Sequence, residues 1–218
     1  MPPRFRSAPG TRRHVLGLAL VAGVGLTACG QAQPGVAASI DGDSLSVTEV
    51  QERTAAFTEA YPDIANQVTI DRITAVTIQN FLRGHVADSI ARELGLEPTE
   101  GELDEFVEQI GGIEEATRQV GQGGVPPDPE LVAAEIRSAW IVNALRELNL
   151  EEVTDPEEAD AATRATVDEY SAAADVSVNP RFGTWDGVIV TPVNGSLSTV
   201  PDDPDALTGA GAIQVPPG

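Results

Sequence analysis

Between Thr69 and Gly95 apolar side chains recur every fourth residue, at Ile78, Leu82, Val86, Ile90 and Leu94. Ile70, Ile73 and Phe81 lie on the adjoining strip. A fourfold repeat held over this length is the period of a helix, not the alternation of a half-buried strand. Gly95 is a natural stop, because a residue without a Cβ enters the left-handed cap at low cost. A helix this long must lay its stripe against partners, and the fold class follows from what the rest of the chain supplies.

The partners are written in the same code. Ser46-Val-Thr-Glu49 is a capping box, in which a hydroxyl and a Glu three residues later satisfy orphan amides. Val47, Val50, Thr54, Phe57 and Tyr61 then follow at helical spacing until Pro62 ends the run. Thr99-Glu-Gly-Glu102 is a second box, leading Leu103, Phe106, Val107 and Ile110 into Gly111-Gly112. A short helix over 113–120 is expected to stop at Gly121-Gln-Gly-Gly124 and Pro126-Pro127, a loop. Asp128-Pro129-Glu130 orders an N-cap, a first-turn proline and an acid. Val132, Ile136 and Trp140 form its stripe, with Ile141, Leu145 and Leu148 beside it. Asp155-Pro156-Glu157-Glu158 repeats that start for an Ala-rich helix reaching about Ala173. Val167 and Tyr170 are its large contacts, so it docks by a narrow edge.

Short strands are expected at both ends of this array. Asp41-Gly42 between β-compatible runs marks a hairpin over 37–46, and the composition turns β-like again from Val176 to Val190. With only nine aromatic residues the core must be built from Ala, Val, Leu and Ile. The expected fold is mainly α, with about five helices and short terminal strands for which pairing with each other, bringing the domain ends together, is one option.

The first 28 residues read as an export signal. Arg4, Arg6, Arg12 and Arg13 form a positive segment, and Val15 to Leu26 an apolar stretch too short to span a bilayer. Leu26-Thr-Ala-Cys29 follows, and Cys29 is the sole cysteine, so no intramolecular disulfide is possible. The tetrad resembles the bacterial lipobox, which implies acylation of Cys29, a palmitate-type anchor and a location on the outer face of the cell membrane. An ordinary secreted protein is the plainer alternative. Arg12-Arg13 lacks the context of a folded-state export signal. Residues 29–36 then form a tether, 37–190 the helical domain, and 191–218 a Pro/Gly/Asp-rich tail expected to be disordered.

There is no lysine, and after the signal nine arginines face 34 acids, a net charge of −25. Such a surface has no cationic cluster to neutralise phosphates, which excludes nucleic acid as a partner. Acids concentrate between Glu97 and Glu115 and between Glu147 and Asp160 with no base inside either run. Each reads as a solvated face or, alternatively, as a docking surface for a cationic partner.

Catalytic and metal patterns are not apparent. His85 is the one histidine after the signal and has no His, Cys or acid at i+4, so it reads as a packing or surface residue. Asp41-Gly-Asp43 and Asp202-Asp203-Pro-Asp205 lack the alternation and closing Glu of a calcium loop. A nucleotide P-loop needs a lysine that the chain does not have. Carboxylates are too many for one pair to stand out as acid and base. No enzyme activity, cofactor or metal is expected.

The segment Val176-Ser-Val-Asn-Pro-Arg-Phe-Gly-Thr-Trp-Asp186 is more particular. Asn179-Pro180 turns the chain, Gly183 allows close approach, and Phe182 and Trp185 anchor the strand against helices. Arg181 is expected to pair with a carboxylate. Closure of the domain is the simpler reading, and direct ligand binding the other.

The lipobox, the Ala38-Ser-Ile-Asp-Gly-Asp-Ser-Leu-Ser46 opening, the capping-box helix and the long second helix resemble the N-terminal domain of SurA/PrsA-type extracytoplasmic chaperones. The closing motif resembles the end of actinobacterial lipoproteins with a SurA N-terminal domain. The resemblance spans about residues 36–190. Members of that group often carry a parvulin-type isomerase domain, for which the short link from Leu148 to Asp155 leaves no room. The resemblance therefore implies binding of newly exported, unfolded polypeptides without isomerase catalysis. Candidate groove residues are Phe57, Tyr61, Phe81 and Trp140, each of which reads alternatively as a core residue. An adaptor lipoprotein that docks one envelope partner is the alternative.

Overall fold

A computed structural model describes residues 34–193. Cys29, the signal segment, most of the tether and residues 194–218 of the tail lie outside these residues. Two-thirds of the described residues lie in seven helices, joined by a few short antiparallel strands. The chain opens with β1 (Val36–Ile40) and β2 (Asp43–Ser46), the hairpin expected at Asp41-Gly42. Asp41 and Gly42 both take positive φ, at 50° and 96°, as a tight two-residue connection of twisted strands requires.

Helix α1 (Val47–Ala60) starts at Ser46 with both reciprocal hydrogen bonds of the capping box in place. Pro62 ends α1 and at once begins a four-residue helix, α2 (Pro62–Ala65), since a proline is tolerated in a first turn. The fourfold stripe becomes α3 (Ile70–Leu94), capped by the Thr69 hydroxyl and closed by left-handed Gly95. The second box opens α4 (Glu100–Gln109). Helix α5 (Ile113–Gln122) runs two residues beyond the expected stop and takes Gly121 into its last turn. Asp128 and Asp155 cap α6 (Pro129–Glu152) and α7 (Pro156–Ala173), each with proline in the first turn.

The chain ends in β3 (Val176–Val178), β4 (Thr184–Trp185) and β5 (Val190–Thr191). Strand β3 pairs antiparallel with β1, so the sheet order is β2-β1-β3 and the two ends of the domain meet. Strands β4 and β5 form a separate hairpin, which places Thr191 in a strand although composition alone assigns it to the tail.

Two clusters make up the described core. The larger joins Ile40 and Leu45 of the hairpin to Val50, the Ile78–Ile90 stripe of α3, Ile141 and Leu145 of α6, and Val190 of β5. The smaller joins Phe106 and Ile110 of α4, Ala116 and Val120 of α5, and Val132 and Ile136 of α6. One end of α6 serves each cluster, and half-buried Trp140 touches both. Each fully buried Leu, Ile or Phe contributes about 1.5–3 kcal/mol relative to exposure. Ile70 and Leu94, at the ends of the α3 stripe, extend past their partners and are exposed.

Candidate functional site

The closing motif is assembled by Asn179. Its backbone N–H donates to the Ala37 carbonyl at 2.8 Å, and its side-chain amide donates to the Val36 carbonyl at 3.2 Å. Its Oδ1 accepts from the Arg181 N–H, and its own carbonyl accepts from the Phe182 N–H, which forms the turn around exposed Pro180. Phe182 and Trp185 pack against the main cluster. Gly183 is buried at φ +147°, and a Cβ there would overlap the Thr191 carbonyl oxygen. Arg181 corrects an expectation: its guanidinium lies 4.3 Å from the centre of the Phe182 ring, and no carboxylate pairs with it among the described residues. The aromatic face sits on the neighbouring residue, and such contact is worth about 0.5–1 kcal/mol at an exposed site.

The four candidate groove aromatics take different positions. Phe57 is 0% exposed, so it is interior and lines no groove, because the middle of its α1 stripe is buried and α1 packs against α3. Tyr61, half-buried, meets Phe57 at 5.2 Å between ring centres and packs over Gly121. Phe81 stands against His85, with ring centres 4.4 Å apart. Trp140 bridges the two clusters. His85 contacts the Phe81 carbonyl through Nδ1 at 3.0 Å and faces Asp43 at 3.4 Å through Nε2, so it joins α3 to the hairpin.

An open cleft of about 440 Å³ lies between α3, the end of α7 and the hairpin turn. Val86, Ala173 and Ala174 give it apolar walls, while Asp41, Ser89, Arg92, Glu93 and Tyr170 supply polar groups. Asp41 is fixed by reciprocal bonds to Asp175: its N–H donates to the Asp175 carbonyl, and its carboxylate accepts the Asp175 N–H at 2.9 Å. Burial and then adjacent Glu93 push the Tyr170 phenol above its ordinary value. Sequence reasoning missed this cleft. The available signal was the i, i+3, i+4 spacing of Ser89, Arg92 and Glu93 opposite Tyr170, Ala173 and Ala174, which puts each set on one helix face.

Helix-to-helix contact is reinforced by Arg137–Asp88 at 3.1 Å between α6 and α3, and by Arg146–Asp160 at 2.5 Å between α6 and α7. On α5, Arg118 and then Gln119 hold the Glu115 carboxyl down to about 2. Among the described residues no group of three or more His, Cys, Asp or Glu is placed to hold a metal. No helix among them is long and apolar enough to cross a membrane. No family model, curated protein or solved structure matches the chain.

Proposed function

We propose that the chain is a SurA/PrsA-type lipoprotein module, anchored through Cys29 at the outer face of the membrane, that holds newly exported unfolded polypeptides without catalysis. The observation that supports this reading is apolar side chains left exposed on a strongly acidic surface. Ile70 and Ile113 are 56% and 58% exposed, and Leu94, Val142 and Leu148 are also exposed. Around them the described residues carry 31 acids against nine arginines. Weak apolar contacts suit clients of varied sequence, and the acids repel other copies and attract basic segments. The test is suppression of aggregation of an unfolded client; no protection at stoichiometric excess removes the reading. Mass spectrometry of the mature N-terminus tests the anchor, and an unmodified Cys29 refutes it.

An adaptor that docks one envelope partner is the second reading. The polar cleft bounded by Asp41, Arg92, Glu93 and Tyr170 favours it, because fixed charges in a concave site select a defined partner.

A further inference from the structure

We propose that residues 183–191 form a displaceable strap seated in a peptide groove on α3, and that the groove's other occupant is an extended, β-branched segment of an unfolded polypeptide. The source of that occupant rests on the chaperone reading above; the strap itself does not.

The strap's second strand, β5, lies on α3 as an extended segment would, with β4 paired along its other side. Val190 is fully buried against the cluster that holds Ala75, Ile78 and Leu82, and its N–H donates to Gln79 Oε1 at 3.3 Å. Gln79 is only 6% exposed, a costly place for an amide unless it has a partner. An apolar side chain would serve the core as well. An amide there instead engages a main-chain N–H, which every residue except proline offers, so the groove accepts a strand by its backbone and selects loosely by side chain.

The strap is held lightly: of residues 183–191 only Gly183 and Val190 are buried. Its hairpin has two residues per strand; the turn is closed by Asp186 N–H to the Ile189 carbonyl at 3.3 Å and by the Asp186 carboxylate, which accepts the Val188 and Ile189 N–H groups at 2.9 Å. Trp185 Nε1 is buried without a hydrogen-bond partner, an unfavourable feature that release would relieve. Val188, at the tip, is 55% exposed. Asn179 lies before the strap, and its two bonds to β1 hold β3 in the sheet independently. Gly183, at φ +147°, marks the hinge, so the strap can leave while the two ends of the domain stay joined.

The experiment uses the full chain and a synthetic peptide spanning residues 183–193 with Trp185→Phe. In a Trp140→Phe variant Trp185 is the only tryptophan. The peptide in excess is expected to shift its emission to the red, whereas a scrambled peptide leaves it in place. Hydrogen exchange on the unsubstituted chain reads the same event if that variant does not fold. The Val190 amide is expected to exchange by local opening, roughly tenfold or more faster than the amides of Ile78 to Leu82, and faster again with peptide. Exchange of Val190 only together with α3, or no response to excess peptide, overturns the proposal. Dimers that form with concentration and abolish the peptide response assign the groove to a second copy's strap and overturn it equally. Loss of client protection with peptide displacement intact removes the chaperone reading and leaves the strap; the reverse removes the strap alone.

Discussion

A Cβ placed on Gly121 would lie 2.5 Å from the ring of Tyr61, so the last turn of α5 closes on the end of α1 only because that position has no side chain. Gly121→Ala is therefore expected to destabilise by about 1–3 kcal/mol through overpacking, although alanine in a helix is otherwise favoured by about 1 kcal/mol. In a Tyr61→Ala background the obstruction is gone and the same substitution is expected to stabilise. Urea unfolding of the four chains measures the sign change; a loss of equal size in both backgrounds refutes the contact.

Gly183→Ala is expected to cost about 1–3 kcal/mol, because its positive φ disfavours a side chain and a Cβ meets the Thr191 carbonyl. The damage should stay with the closing hairpin. Hydrogen exchange is expected to accelerate at Val190 while the α4 and α5 amides hold their rates. Uniform acceleration would show instead that the hairpin unfolds only with the whole lobe.

The helices were legible because their signals are local. Ser46 with Glu49, Thr99 with Glu102, Asp128 with Pro129 and Asp155 with Pro156 each state a start within four residues, and each start is present. Pairing of β1 with β3 was legible only as an option, since two short strands far apart carry no mark of partner choice. The extension of α5 through Gly121 was not legible. Glycine reads as a stop, and only the distant Tyr61 ring gives it another use. The burial of Phe57 follows from its place on the α1 stripe, whereas the Arg181 contact with Phe182 was not legible, because nothing in the motif states which partner the guanidinium takes. The cleft around Tyr170 belongs to this class, because its two faces lie some eighty residues apart in sequence.

The capping box at α1 should appear in the pH dependence of stability. Hydrogen bonds from the Ser46 side chain and backbone, partly opposed by desolvation and aided by Arg53, hold the Glu49 carboxyl below its ordinary value of 4.5. A carboxyl lowered in the folded state contributes stability that is fully present above 4.5 and is lost as pH falls through the lowered value. Ser46→Ala removes the hydroxyl partner and is expected to cost about 1 kcal/mol at pH 7. The variant should also lose less stability than its parent between pH 5 and 3. Parallel curves for the two would assign the loss elsewhere.

Glu135 has the opposite sign. It lies on α6 facing Arg83 of α3, and burial pushes its carboxyl above 4.5 despite the pull of the guanidinium. A carboxyl raised in the folded state binds its proton more tightly there than in the unfolded chain. Its contribution therefore grows as pH falls through the raised value and levels off below 4.5, with a slope of at most about 1.4 kcal/mol per pH unit. Glu135→Gln keeps the shape and removes the titration. The variant is expected to be the more stable of the two at pH 8, and the difference should close as pH approaches 4.5. Thermal unfolding across that range measures it. A variant less stable than the parent at pH 8 would show that the attraction of Arg83 outweighs the burial of the charge.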